Sequence, residues 1–333
     1  LMALKPVVQI RFARLRAFTM GLFAIPTEVY LCEVDAGMHP KRALDIFYHY
    51  EPEHFSRRML KPISPKDGVS ANPDDPTLPE TWSTTKNVAW KTEIPGVGWS
   101  SPIVWDRTVF LTSVVNEGLE EVPIGGLYRG GERSTSSNVH HWIAYGIDLD
   151  TGLIRWKTDL HQSVPIQSKH LKNSYASETP VTDGERLYVY FGNVGLFCLD
   201  LGGRELWSVE WESKRTRGGW GTAASPVLHD GRLYVVSDSD EQSFITALSA
   251  ETGAEIWRIN RNEGTNWSTP YVWEHDLRTE IVTTGTDRVR SYGLDGSLLW
   301  ELDGLSSITV PMPFSKFGLL YIEAGYTGDR ERP

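Results

Sequence analysis

The stretch SPVLHDGRLYVVSDSDEQSFITALSAETGAEIWRI, residues 225–259 of this 333-residue chain, contains one complete copy of the pattern that predicts its fold. Two β-rich runs flank the dipeptide Asp230-Gly231, and two more flank the tripeptide Glu251-Thr252-Gly253. An Asp-Gly or Thr-Gly turn between such runs is typical of an antiparallel hairpin. The stretch therefore predicts four consecutive antiparallel strands, which we call A, B, C and D.

The same pattern occurs four times along the chain. Each copy opens on a hydroxyl residue followed by proline, and the four openings are Ser101-Pro102, Thr179-Pro180, Ser225-Pro226 and Thr269-Pro270. Each copy closes on a tryptophan, and one further closing precedes the first copy; these are Trp90, Trp156, Trp207, Trp257 and Trp300. The closings are 66, 51, 50 and 43 residues apart, a period typical of four-stranded propeller blades. The first, longer interval contains an insertion.

The pattern predicts an all-β fold, a β-propeller of four-stranded antiparallel blades. Residues 82–323 have no sustained 3.6-residue apolar period, which is the sign of an amphipathic helix. A twisted four-stranded sheet has two apolar faces, so successive sheets must stack radially to bury them. We expect the five closing tryptophans to pack on the outermost strand D, where the wedge between blades is widest.

The closing motif D-x-x-T-G-x-x-x-W, Asp148 to Trp156, and the Ser-Pro opening resemble the repeat of the bacterial PQQ-binding-like (pyrroloquinoline quinone) β-propeller proteins. The stretches NVAWKTEIPGVGWSSPIVW and GWGTAASP are similar to those of an exported subgroup. The resemblance covers about residues 68–323. It implies a repeat shared with quinoprotein dehydrogenases and with the propeller lipoprotein of the outer-membrane barrel-assembly machinery. These motifs are specific for the fold and weak for activity.

Three regions are expected. Residues 1–60 lie outside the repeat, and Arg11, Arg14 and Arg16 before AFTMGLFAIP have the order of a secretory leader; a mispredicted segment is the alternative. Residues 61–81 are a linker, and residues 82–333 are the propeller, beginning with a lone outer strand at 82–90. We expect four full blades and a half blade, hence a propeller that is incomplete and truncated at its C-terminal side in this chain.

Composition limits the partners. The formal charge is −10; residues 1–61 carry 9 basic and 6 acidic side chains, so the remainder, with 24 against 37, carries −13. An acidic propeller is a poor binder of nucleic acid or anionic lipid. The sequence contains no run of 18 apolar residues, so it predicts no membrane-spanning helix. We expect a monomer. The two cysteines, Cys32 and Cys198, are far apart, and Cys198 is expected to be a buried free thiol.

Propellers bind ligands at the face formed by the D-to-A and B-to-C loops, where the innermost strands converge. The candidate ligand- or partner-binding residues on this face are Trp99, Ser100, Lys172, Tyr175, Glu178, Trp220, Thr222, Trp267 and Ser268. The tryptophan rings are expected either to stack on a ligand or to pack the blade tops together. Lys172 with Glu178 is interpreted as an acid/base pair, an anion-binding pair or a solvated charge cluster. The opening hydroxyls are expected to bond nearby backbone.

Two further features carry weaker signals. The B-to-C connection of the first blade, about Asn116 to Asn138, is long enough to be functional or disordered. His140 and His141 point to opposite faces of strand C, so they are a weak metal signal. No catalytic motif of the HExxH, CxxC or GxSxG kind occurs. We therefore expect no catalytic residue and no metal site.

The sequence favours a non-catalytic binding or scaffold module for a protein or polysaccharide partner in the bacterial cell envelope, periplasmic or secreted, without a cofactor. A quinoprotein dehydrogenase using PQQ with calcium is the alternative, as is a sensor or accessory propeller attached to an enzyme. The resemblance implies that such dehydrogenases combine adjacent disulfide-bonded cysteines, a metal bound by Glu, Asn and Asp, and a catalytic aspartate. This chain has no adjacent cysteines, and no such carboxylate set can be placed on its repeats.

Overall fold

The computed structural model describes residues 9–15, 43–49, 88–119, 133–316 and 318–324. Near the N-terminus, strand β1 (Gln9–Leu15) pairs in parallel with β2 (Ala43–His49). The predicted AFTMGLFAIP leader, the linker at 61–81 and residues 82–87 lie outside the described residues, so the domain boundaries remain predictions. The chain divides into two compact units, residues 59–212 and residues 1–58 with 213–333.

The unit of residues 59–212 contains two four-stranded antiparallel sheets. The first has the strands β3 (Ile103–Trp105), β4 (Thr108–Asn116), β5 (His140–Asp148) and β6 (Ile154–Ser163). The second has the strands β7 (Val181–Thr182), β8 (Arg186–Phe191), β9 (Gly195–Asp200) and β10 (Glu205–Glu210). Each sheet runs A to D in chain order, so these are blades 1 and 2.

The other unit contains two more such sheets and, besides the β1–β2 pair, a further two-stranded sheet. Blade 3 has the strands β11 (Val227–His229), β12 (Arg232–Ser237), β13 (Ser243–Ser249) and β14 (Glu255–Arg261). Blade 4 has the strands β15 (Tyr271–His275), β16 (Arg278–Thr284), β17 (Arg288–Gly293) and β18 (Leu298–Asp303). The half blade has the strands β19 (Phe314–Lys316) and β20 (Leu319–Tyr321).

The predicted fold class is confirmed, with four full blades and a half blade in the described residues. The part of the chain that the structure describes has no α-helix, only a 3₁₀ turn at Arg217–Gly219. No helix there is long and apolar enough to cross a membrane.

The lone outer strand predicted at 82–90 is corrected in its described part. Residues 88–90 form no strand. Side-chain hydrogen bonds hold this segment instead. The indole N–H of Trp90 donates to the carbonyl of Leu149 at 2.8 Å, and the hydroxyl of Thr92 donates to the carbonyl of Gly152 at 2.5 Å. Its only ladder contact in the described part is an isolated bridge between Val97 and Val114.

The turn residues adopt the backbone that the sequence requires. Asp230 and Gly231 have φ values of 47° and 68°, as a two-residue hairpin turn with both central residues left-handed demands. The turn joins β11 to β12, and His229 pairs with Arg232 across it. Local turn chemistry therefore sets the A-to-B hairpin of blade 3.

The closing tryptophan packs on the glycine of the following C-to-D turn. A Cβ atom added to Gly203 would lie 2.5 Å from the ring of Trp156, and one added to Gly296 would lie 3.0 Å from the ring of Trp257. The indole N–H groups of these two tryptophans donate to carbonyls in the same turns, those of Leu201 and Leu294, both at 2.9 Å. Gly152 and Trp90 repeat this arrangement in blade 1. The closing tryptophan of blades 1 and 3 thus meets the turn glycine of the next blade in the same unit.

Each outermost strand has a β-bulge beside its tryptophan. In blade 3, Ala247 pairs with Trp257 while Leu248 pairs with Glu255, so Ile256 has no partner on the neighbouring strand. The same register shift occurs beside the closing tryptophans of the other three blades, Trp156, Trp207 and Trp300. A bulge increases the local twist and makes an edge strand a poor template for further pairing.

Candidate binding face

The predicted candidates fall in both units, and the two groups are described separately. Trp99, Ser100, Lys172, Tyr175 and Glu178 belong to the unit of residues 59–212, whereas Trp220, Thr222, Trp267 and Ser268 belong to the other. All nine lie in D-to-A loops, the segments that precede strand A of a blade. Whether they act together on one ligand remains a prediction.

Trp99 and Ser100 are tied to the next D-to-A loop. Their backbone N–H groups both donate to the carbonyl of Ala176, at 2.9 and 3.1 Å. The Trp99 side chain is 50% exposed, and the hydroxyl of Ser100 accepts a hydrogen bond from that of Thr112 at 2.9 Å. This arrangement holds the backbone of Trp99 in place and leaves its ring in contact with solvent.

Tyr175 belongs to the packed interior of this face. It is 5% exposed, and its hydroxyl donates to the carbonyl of Gln167 at 2.8 Å. The ring meets His140 edge-on at 5.4 Å and lies 6.0 Å from the ring of Trp142. Lys169 places its Nζ atom 5.8 Å from the Tyr175 ring centre. Tyr175 therefore anchors the loop of residues 164–178 to blade 1.

Glu178 and Lys172 differ in environment, which corrects the solvated-cluster interpretation. Glu178 is 1% exposed, and its two carboxylate oxygens accept hydrogen bonds from the backbone N–H groups of Ser177 and Gly192, both at 3.2 Å. Lys172 is exposed at the surface of the same loop. The carboxylate thus joins the D-to-A loop to the B-to-C loop of blade 2.

The opening hydroxyls link one blade to the next. The backbone N–H of Ser101 donates to the hydroxyl of Thr179 at 3.1 Å, and that of Ser225 donates to the hydroxyl of Thr269 at 3.0 Å. The predicted bond between hydroxyl and backbone is therefore present for Thr179 and Thr269, but its donor lies in the preceding blade rather than nearby in sequence. These contacts recur in both units at the same repeat position.

Trp220 and Trp267 form a stacked pair in the other unit. Their ring centres are 5.8 Å apart with planes inclined by 27°. Trp267 is 9% exposed, and its indole N–H donates to the carbonyl of Gly221 at 2.7 Å. The backbone N–H of Trp267 donates to the carbonyl of Thr309 at 3.3 Å. Trp267 accordingly packs the tops of these blades together, whereas Trp220 is only half-buried.

The remaining two candidates have different surroundings. The hydroxyl of Ser268 donates to the carbonyl of Pro311 at 2.8 Å, which joins blade 4 to the segment before the half blade. Thr222 is half-buried in the loop that carries Trp220. Both therefore lie among the interlocked D-to-A loops of this unit.

A buried ion network lies beneath the stacked pair and was missed by sequence reasoning. Arg261, at the end of β14, binds the carboxylate of Asp238 through two nitrogens at 3.0 and 3.2 Å, and both side chains are fully buried. Burial raises the pKa of Asp238 above its ordinary value, and Arg261 offsets this only in part. Glu263 pairs with Arg290 in the same cluster. The one sign of this network in the sequence is a charged residue, Arg261, at an inward-facing position of strand D.

Asn266 connects this network to the aromatic pair. Its amide Nδ2 donates to the carbonyl of Thr284, and its Oδ1 accepts from the backbone N–H of Trp267 at 2.8 Å. The loop that bears Trp267 is thus fixed by buried polar contacts on one side and by ring stacking on the other. Few of its groups can move without breaking a buried hydrogen bond.

The two adjacent histidines of strand β5 point to opposite faces. His140 is 2% exposed and its Nδ1 lies 2.9 Å from the carbonyl of Asn138. His141 lies between two carboxylates, with Nδ1 2.6 Å from Asp159 and Nε2 2.9 Å from Glu117. Hydrogen bonds to Glu117 and Asp159 raise the pKa of His141. Residues 120–132 of the long B-to-C loop lie outside the described residues.

The described residues do not fit a calcium-assisted quinone site. Within them, no three His, Cys, Asp or Glu side chains converge as metal ligands. The buried carboxylates of Asp238 and Glu263 face arginines, whose charge opposes cation binding. Cys198, a free buried thiol whose pKa burial raises to about 12, lies within strand β9.

The repeat pattern and the strand topology together define the chain as a β-propeller protein built of PQQ-like repeats. The family model described as outer membrane protein assembly factor BamB matches residues 192–317, which is less than half of the chain. No curated protein matches the chain significantly.

Solved structures with similar folds are distant. BamB from Moraxella catarrhalis is 15% identical, with 67% of this chain and 53% of that chain covered and a TM-score of 0.41. A quinohemoprotein alcohol dehydrogenase from Pseudomonas putida is 16% identical, with 65% and 35% covered and a TM-score of 0.42. A europium-containing methanol dehydrogenase is 12% identical, with 66% and 43% covered and a TM-score of 0.40. This chain therefore spans about half or less of the length of these structures.

Proposed function

We propose that this chain is a non-catalytic propeller that binds a protein or polymer partner in the bacterial cell envelope through its D-to-A loops. The observation that carries the proposal is that these loops are tied to one another while Trp99 stays exposed. The backbone N–H groups of Trp99 and Ser100 donate to the carbonyl of Ala176, and the backbone N–H of Trp267 donates to the carbonyl of Thr309. Pre-formed loops lose little conformational entropy on binding.

The envelope location belongs to the proposal. The matched family model is that of an outer membrane protein assembly factor, and the leader-like order of residues 11–26 points the same way. Fold alone does not fix activity in a propeller. The assignment as a binding module therefore depends on the loops rather than on the blades.

Site-specific photo-crosslinking tests the proposal. A photoreactive phenylalanine derivative would replace Ser100 or Thr222 in the D-to-A loops, and Thr151 or Thr252 in the C-to-D turns as matched controls at the opposite end of the same sheets. We expect discrete adducts in envelope extracts from positions 100 and 222. Equal or stronger adducts from positions 151 and 252 would place the partner elsewhere and contradict the proposal.

A further inference from the structure

The loop of residues 164–178, together with Trp99, forms a fixed surface on the unit of residues 59–212; we call it the 164–178 surface. Tyr175 holds the loop by its bond to Gln167, and the N–H of Asn173 donates to the carbonyl of His170 at 2.8 Å. Because Trp99 bonds Ala176 through its backbone, its ring joins the surface beside the segment that carries Tyr175. The loop is thus organised before any partner binds.

This surface exposes large apolar side chains. Ile166 is 73% exposed, Val164 is 44% exposed and Trp99 is 50% exposed. Aliphatic groups in contact with water gain about 25 cal/mol per Å² when a partner covers them. Hydroxyl-rich polymers bury little aliphatic surface, whereas apolar side chains of a peptide cover it well. The exposed Ile166 and Val164 therefore favour a protein over a polysaccharide.

The charge of the same surface is positive, in contrast to the chain as a whole. Lys169 and Lys172 lie in the loop, and its only carboxylate, Glu178, is buried and bonded to backbone N–H groups. The chain carries a formal charge of −10. Such a local positive surface attracts acidic segments of a partner at close range, although the protein as a whole is acidic.

We infer that the 164–178 surface binds an acidic peptide segment with interspersed apolar side chains from a partner protein. Lysines would meet the carboxylates, while Ile166, Val164 and the ring of Trp99 would contact the apolar side chains. The inference rests on the proposed function and narrows it, because it selects a protein among the two partner classes left open there.

Defined polymers test the inference on the full chain. Binding of a fluorescent random copolymer of glutamate and tyrosine would be compared, by anisotropy, with that of polygalacturonate of equal charge and length. The variants are Ile166→Ser and Lys172→Glu. The matched controls are Leu153→Ser, 69% exposed, and Arg204→Glu, 78% exposed, both in C-to-D turns. Circular dichroism and urea unfolding would check that all four fold.

We expect the copolymer to bind about tenfold more tightly than polygalacturonate. Ile166→Ser should weaken copolymer binding about five- to tenfold. Lys172→Glu should weaken it about tenfold at low salt and less at physiological salt. The two control variants should stay within about twofold of the parent.

Two results would overturn the inference. The first is that both polymers bind equally well and that Lys172→Glu weakens this binding but Ile166→Ser does not. The surface would then be a general anion site, and the proposed binding function would survive. Binding that no loop variant weakens more than its matched control would remove the site altogether. The crosslinking result then decides separately whether the D-to-A loops bind any partner.

Discussion

At the scale of single residues, Trp156 shows how a closing tryptophan connects two blades. Trp156 lies on strand β6 of blade 1, yet its ring covers Gly203 and its N–H binds Leu201 in blade 2. The same ring lies 5.9 Å from that of Phe110 in its own blade. One tryptophan therefore stabilises both its own sheet and the contact with the next.

Replacing Trp156 with alanine should lower the free energy of unfolding by about 2–3 kcal/mol, because it removes a half-buried ring that packs on Gly203 and Phe110. Trp156→Phe should cost less, since it keeps much of the ring but loses the bond to Leu201. Trp99→Ala is the control with an exposed ring and should cost under about 1 kcal/mol. Urea unfolding measures all three, and equal losses for Trp156→Ala and Trp99→Ala would refute the packing role.

His141 gives a pH prediction of its own. Glu117 and Asp159 stabilise the imidazolium and raise the pKa of His141 above its ordinary value of 6.5. A raised folded pKa means that the stabilising contribution is complete below 6.5 and is lost as pH rises through the folded value. NMR titration should therefore give a pKa above 6.5 for His141, and Asp159→Asn should move it back toward that value. A pKa at or below 6.5 in the parent protein would show that neither carboxylate binds the ring in solution.

The structure of a residue is predictable from sequence where local chemistry decides it, and not where contacts with distant residues decide it. Asp230-Gly231 predicts its turn because few residues accept left-handed backbone. Glu178 looked like a solvated charge because its hydrogen-bond donor Gly192 lies 14 residues away in the chain. The Arg261–Asp238 pair was missed for the same reason, since its partners lie 23 residues apart.

At the scale of elements, the blade opening acts as a connector between sheets. Thr179 and Thr269 begin blades 2 and 4, and each accepts a hydrogen bond from the backbone of the opening serine one blade earlier. Proline follows each hydroxyl and cannot donate a hydrogen bond itself. The Thr-Pro pair of blades 2 and 4 thus accepts a hydrogen bond from the backbone of the preceding blade while starting its own strand A.

Thr179→Val and Thr269→Val should each lower the free energy of unfolding by about 1–2 kcal/mol, because a partly buried backbone N–H loses its acceptor while the side-chain volume is kept. Thr→Ser at the same positions keeps the oxygen and should cost clearly less. Urea unfolding with hydrogen exchange at Ser101 and Ser225 measures both the loss and its location. Unchanged protection at these two amides in the valine variants would contradict the connector role.

Elements were predictable from sequence wherever the turns carry strong signals, so the strands of the four blades were foreseen. The β-bulge beside each closing tryptophan was not, since Ile256 fits a regular strand as well as a bulge and only the pairing with Ala247 and Leu248 reveals it. The pattern predicts a lone outer strand at residues 82–90, but residues 88–90, its described part, form none, and side-chain bonds from Trp90 and Thr92 hold this end of the segment.

At the scale of the whole molecule, the repeat fixes architecture and leaves chemistry to the loops. The blades alone do not distinguish a binding module from an enzyme, so the distinction must come from side chains at the loop face. Two buried carboxylates of the described residues are paired with arginine, since Asp238 binds Arg261 and Glu263 binds Arg290, whereas the buried carboxylate of Glu178 accepts hydrogen bonds from backbone N–H groups. A quinone dehydrogenase needs free carboxylates that hold a cation.

Calorimetric titration with PQQ, with and without calcium, followed by dye reduction on simple alcohols and sugars, separates the two classes. We expect no calcium-dependent heat of quinone binding and no dye reduction above the protein-free blank, because Asp238 and Glu263 already have cationic partners. Asp238→Asn should leave this result unchanged while lowering stability, since it weakens a buried ion pair. Saturable, calcium-dependent binding with turnover would instead place a carboxylate set at the face and make the protein an enzyme.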